Sequence, residues 1–147
     1  MKGEVRHGEG SFTSQNGDHQ KGEWQENVFW VGEQRLTHEN GEVYDGKIQN
    51  GCRNGDGLLT YPDGTVDQGT WVDGELPMTL RTYKNGDKYE GSLKSGLKDG
   101  QGTHFFSNGD TYEGMFSEDK RHGSGKFVSI HGMEFEGQWA DDKFVRP

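Results

Sequence analysis

A chain of 147 residues with a net charge of −9 and a pI near 5.1 is one domain's length. Its charge excludes nucleic acid as a partner and disfavours an anionic membrane surface. Only 27% of the residues are hydrophobic and mean hydropathy is −1.08, too little apolar area for an ordinary globular core, yet 12% aromatics and 25 glycines against three prolines do not describe a disordered acidic chain.

Taken in chain order, the sequence falls into repeats of about 23 residues. Residues 1–18 supply a returning strand with Gly8 and Gly10 and end on Asn16-Gly17. Residues 19–42 carry Gly22, Trp24, the loop Asn27-Val28-Phe29-Trp30-Val31-Gly32 and Asn40-Gly41, with Gln20 where other repeats have an aromatic residue. Repeat 43–65 runs from Tyr44 and Gly46 through Gly55 and Gly57 to Asp63-Gly64. Repeat 66–87 departs from the pattern: Asp67 occupies the aromatic position, and Leu76-Pro77-Met78-Thr79 stands where a Gly-x-Gly pair belongs. Repeats 88–110 and 111–133 are regular, with Tyr89 and Tyr112, Gly100/Gly102 and Gly123/Gly125, and the turn pairs Asn108-Gly109 and His131-Gly132. Residues 134–147 supply an outgoing strand with Phe135, Gly137 and Trp139. The strand glycines from Gly22 to Gly137 and the turn glycines from Gly17 to Gly132 both advance by 24, 23, 22, 23 and 23 residues.

Within one period the chemistry predicts a β-hairpin. Asn-Gly and Asp-Gly favour turns with positive φ. The segment after each turn alternates, so that in Tyr89-Glu90-Gly91-Ser92-Leu93 the tyrosine, glycine and leucine share one face. A glycine in a strand leaves a gap across which a neighbouring ring can lie, which reconciles frequent glycine with sheet structure. The expected fold is all-β: an elongated, single-layered, twisted antiparallel sheet of twelve strands in one domain, 1–147. Its aromatic row is Trp24, Tyr44, Trp71, Tyr89, Tyr112, Phe116, Phe135 and Trp139.

The pattern Tyr-Glu-Gly-x-Phe/Trp, a loop ending His/Asp-Gly-x-Gly, and then Asn/Asp-Gly resembles the MORN repeat (membrane occupation and recognition nexus). Residues 88–110 and 111–133 match closely and 43–65 well, while 19–42 and 66–87 fit less closely. The resemblance implies tandem β-hairpins without catalytic residues of their own, serving as scaffolds or docking modules in cytoskeletal, ciliary or membrane-associated assemblies.

Chemistry-bearing residues read as parts of the repeat. His7 and His122 lie five periods apart, and His19, His38, His104 and His131 lack metal-ligand spacing, so no metal or cofactor is expected. Cys52, the single cysteine, sits in a polar loop without an activating partner, reads as an inert thiol and fits a reducing compartment. No Gly-x-Gly pair continues into a nucleotide-binding loop, and Glu90, Glu113 and Glu136 alternate outward as a solvated face. No apolar run reaches the length of a membrane span or a signal-peptide core, and the repeats start within the first ten residues, so the cytoplasm is the expected location.

The expected function is a non-catalytic scaffold. The aromatic row offers rigid contact area for an extended peptide or a helix, and Phe29, Trp30 and Met78 form a second contact patch. The open sheet edges offer a route to a homodimer. The alternative is peripheral phospholipid binding through a stripe of Arg6, Arg53, Lys98 and Arg121, which Asp56, Asp99 and Asp119 oppose.

Overall fold

The computed structural model describes residues 8–26 and 28–147, and in them the chain forms thirteen strands and no helix. Contacts gather into two compact units, the first ending at Glu75 and the second beginning at Leu76. The division falls at Leu76-Pro77, where the sequence breaks its Gly-x-Gly pattern.

The first unit holds β1 (Gly8–Thr13), β2 (His19–Gln25), β3 (Val28–Thr37), β4 (Val43–Gln49), β5 (Cys52–Thr60) and β6 (Val66–Trp71). The second holds β7 (Met78–Thr82), β8 (Lys88–Lys94), β9 (Leu97–Phe105), β10 (Thr111–Ser117), β11 (Lys120–Val128), β12 (Glu134–Ala140) and β13 (Lys143–Arg146). Inside each unit every strand pairs antiparallel with its chain neighbours. The thirteenth strand is one that the sequence reading missed. Residues 134–147 fold back on themselves because Asp141 and Asp142 take left-handed φ values of 48° and 70°.

Two kinds of turn alternate, and the periodic turn pairs that run from Asn16-Gly17 to His131-Gly132 do not make the tight ones. Asp63-Gly64 sits in a three-residue loop closed by the Tyr61 N–H donating to the Thr65 carbonyl at 2.8 Å, and only Gly64 has positive φ. This is a type I turn followed by a bulge glycine. The residue before the glycine serves by its side chain: Asp63, Asn85 and Asn108 each accept, through Oδ1 at 2.9 Å, the N–H two residues on. Among the described residues the tight two-residue turns are Asn50-Gly51, Asp73-Gly74, Ser95-Gly96, Glu118-Asp119 and Asp141-Asp142, in which both positions have positive φ. Here the expected polar loop before Gly-x-Gly is a hairpin tip, and the returning strand begins immediately after it.

Gly-x-Gly therefore lies in mid-strand, and its two glycines do different work. Between the pairs Gly91–Gly102 and Leu93–Lys98, the three residues Asp99, Gly100 and Gln101 oppose Ser92 alone. That bulge requires the left-handed φ of 88° at Gly100. Gly102 instead lies beneath Tyr89, where a methyl group would sit 2.5 Å from the ring's Cε1. Gly57 beneath Tyr44 and Gly125 beneath Tyr112 repeat the arrangement, with Cε1 at 2.6 and 2.5 Å.

Candidate interaction face

The tyrosine side of each unit is built in layers. Tyr44, Tyr89 and Tyr112 lie on the glycines at 0% exposure. Their hydroxyls donate to the carbonyls of Lys47, Ser92 and Met115 at 2.7, 2.7 and 2.9 Å, so the otherwise costly buried O–H is satisfied three residues along its own strand. Burial pushes the Tyr44 and Tyr89 hydroxyls up to about 12 and raises Tyr112. A second ring, always from the following repeat, stands edge-on over each: Trp71 on Tyr44 at 5.5 Å, Phe116 on Tyr89 at 5.2 Å and Trp139 on Tyr112 at 5.3 Å.

A cation from the returning strand covers each pair. The Arg53 guanidinium lies 4.8 Å from the Tyr44 ring centroid and 5.1 Å from that of Trp71. Lys98 Nζ is 5.0 Å from Phe116 and 5.8 Å from Tyr89, and the Arg121 guanidinium is 4.8 Å from Trp139. These three residues thus turn in over the rings, half-buried, rather than standing out along an edge. Arg6, the fourth member of the expected stripe, lies outside the described residues.

Carboxylates lock successive repeats together at both edges. At the tight-turn edge Asp119 accepts the Lys98 N–H at 2.8 Å and Asp142 the Arg121 N–H at 2.8 Å. At the loop edge Asp18 accepts the Thr37 N–H at 2.8 Å, Asp87 that of Ser107 at 2.8 Å and Asp110 that of Ile130 at 2.9 Å. The bond to the Thr37 backbone, with Arg35 nearby, holds Asp18 below the usual carboxylate range. Asp87 is pushed up by burial, but the bonds from His104 and Ser107 outweigh that and keep it low.

In the second unit this face carries a recess of about 230 Å³ whose floor is Phe106 and Phe116 and whose walls include Asp87, Lys98, His104 and Arg121. His104 is buried and takes the place that Leu59 and Phe127 hold opposite the tyrosines of their own repeats. Its ring packs 4.5 Å from Phe106 and 5.6 Å from Tyr83. His104 Nε2 lies 3.0 Å from Asp87 Oδ2, and Nδ1 lies 3.5 Å from Lys98 Nζ. Burial lowers the pKa of His104 despite the Asp87 hydrogen bond, and burial likewise lowers Lys98 against the field of Asp119.

The expected aromatic row is mostly core. Trp24, Tyr44, Trp71, Tyr89, Tyr112, Phe116 and Trp139 are all buried, while Phe135 keeps 37% of its surface exposed. Trp30 is half-buried with its ring against the Asn50-Gly51 turn, 3.4 Å from where a Gly51 methyl would sit. Phe29 is buried edge-on against Trp24 at 5.3 Å, whereas Met78 is exposed. Where the pattern lacks a tyrosine, polar groups fill in: Gln20 donates to Gln34 at 2.7 Å, and buried Asp67 accepts the Tyr61 hydroxyl at 2.6 Å. The sequence reading missed Asp87 and His104. The available signal was a histidine standing, in phase, where other repeats carry leucine or phenylalanine.

Rings seated on glycines, tight turns on one edge and bulged loops on the other define a tandem β-hairpin repeat protein whose regular positions are spent on holding its own backbone. The MORN repeat model matches residues 5–19, 44–66, 89–111, 112–130 and 135–145, more than half of the chain, and the chain belongs to that family. The unmatched stretches contain Gln20 and Asp67, the two replacements of the aromatic residue. No curated protein matches the chain. MORN repeats are generally protein- and lipid-interaction modules. No helix among the described residues is long and apolar enough to cross a membrane.

Proposed function

We propose that the chain is a non-catalytic protein-interaction scaffold or adaptor, a structural subunit of a cytoskeletal, ciliary or other large cytoplasmic assembly. The observation that carries this reading is the recess on the tyrosine face of the second unit. A half-buried ring, Phe106, beside arginine and lysine, with paired carboxylates around them, has the composition of a protein-interface hot spot. An extended peptide or a helix crossing the strands would meet Lys98, Phe106 and Arg121.

The test is capture from native cells with quantitative mass spectrometry, using wild type and a Lys98→Glu/Arg121→Glu variant shown by circular dichroism to stay folded. A stoichiometric protein set that the variant loses supports the scaffold. Equal capture by both forms, or no protein capture at all, refutes this placement. A second reading, peripheral phospholipid binding, draws on the recurrence of a cation at one strand position in Arg53, Lys98 and Arg121. It predicts salt-sensitive flotation of wild type with phosphoinositide vesicles, lost on reversing the three charges.

A further inference from the structure

Two departures from the repeat occur in the same repeat and touch each other. The cation over the rings is arginine at Arg53 and Arg121, but lysine at Lys98. The residue opposite the tyrosine is apolar at Leu59 and Phe127, but histidine at His104. Arginine cannot lose its proton in a protein, whereas a lysine on apolar ground can.

The bond from His104 Nε2 to Asp87 fixes the ring's tautomer, with the proton on Nε2 and the lone pair of Nδ1 aimed at Lys98 Nζ. Asp87 is itself anchored by the Ser107 N–H. The result is a carboxylate, an oriented imidazole and an amine in line, the arrangement that activates a weak nucleophile, opening on the recess. We propose that Lys98 is a selective acylation site, with His104 as the proton acceptor, Asp87 as the residue that positions it, and activated carbonyl compounds of the thioester class as the reagents.

The chemistry balances without a further reactant. Deprotonated Nζ adds to the thioester carbonyl carbon, and the nitrogen's extra proton passes to Nδ1 as the carbon–sulfur bond breaks. The thiolate leaves and takes that proton back from the imidazolium, which Asp87 stabilises meanwhile. An amide and a free thiol result. The remaining charges facing Nζ are Asp119 and Asp142, which favour the ammonium, and Arg81 and Arg121, which favour the free amine along with burial.

The whole chain is treated with S-acetyl-N-acetylcysteamine at neutral pH, and acetylation of each lysine is followed by peptide mass spectrometry. Lys98 should react about tenfold faster than the exposed Lys84, Lys94 and Lys143, short of the roughly hundredfold that a fully evolved base supplies. His104→Leu, which installs the residue found at Leu59, should bring Lys98 to or below the exposed rates and leave theirs unchanged. Asp87→Asn, which keeps an oxygen for the Ser107 N–H, should slow Lys98 as well and covers the case in which the leucine variant does not fold. The proposal is overturned if wild-type Lys98 reacts no faster than the exposed lysines, or if its advantage survives in a folded variant. Neither outcome depends on whether a protein docks at the recess.

Discussion

Gly102→Ala isolates the ring-over-glycine contact. The new methyl would lie 2.5 Å from Tyr89 Cε1 and 2.6 Å from Cζ, far inside van der Waals contact, while the backbone at Gly102 has no left-handed strain to confound the result. Tyr89 must therefore swing away from its floor. Overpacking of this kind costs about 1–3 kcal/mol. Pulling the hydroxyl off the Ser92 carbonyl adds about 1 kcal/mol. The expected loss is about 2–4 kcal/mol, a large fraction of a domain's stability. Gly96→Ala is the matched control: its methyl meets nothing within 4 Å, and only the φ of 79° opposes it, at about 1–2 kcal/mol. Urea unfolding followed by tryptophan fluorescence gives both numbers. In a Tyr89→Leu background, Gly102→Ala should become nearly harmless, with a coupling energy of about 1–3 kcal/mol. Equal costs for Gly102→Ala and Gly96→Ala, or additivity with Tyr89→Leu, would refute the reasoning.

Three further outcomes follow from the same layers. Because the folded hydroxyls of Tyr44 and Tyr89 are raised from 10.0 to about 12, the unfolded chain loses those protons first, so stability is level below pH 10 and falls between 10 and 12. The fall amounts to about 2–3 kcal/mol per tyrosine; tyrosinate absorbance rising with one midpoint near 10 for all five tyrosines would contradict it. Glu118→Asn should stabilise by about 0.5–1 kcal/mol in thermal or urea unfolding, since Glu118 holds a φ of 49° that asparagine accepts more readily; a loss of stability would sink the turn assignment. Arg53→Ala should cost about 1–2 kcal/mol through lost cation–ring contact and stem packing, and Arg53→Lys should recover part of it. Equal stability of all three forms would show that the guanidinium over Tyr44 and Trp71 holds nothing.

The period, the strand class and the meeting of tyrosine with glycine were legible because they rest on local rules: alternation, and the absence of a Cβ. What the sequence hid was which glycine does what. Gly100 and Gly102 read alike as letters, yet one bends a bulge and the other floors a ring, a distinction made only by the neighbouring strand's register. The tight turns were hidden because Glu118-Asp119 and Asp141-Asp142 lack glycine and draw their fit from bonds to the previous repeat. For the site, the aromatic row was legible as a series of side chains, but its depth was not, since cover comes from a ring in the next repeat and a cation on the returning strand. Burial of Tyr89 requires Phe116 and Lys98, and no window of a few residues contains all three.

The roofing rings also give the repeats a direction. Tyr44 is closed by Trp71, Tyr89 by Phe116 and Tyr112 by Trp139, each time by a residue encoded later. A hairpin at the growing end of a nascent chain therefore has its floor before its lid, and every added repeat completes the one already made. The same asymmetry makes damage travel one way: loss of a repeat uncovers the tyrosine that precedes it and leaves the ring of the one that follows still seated on its own glycine.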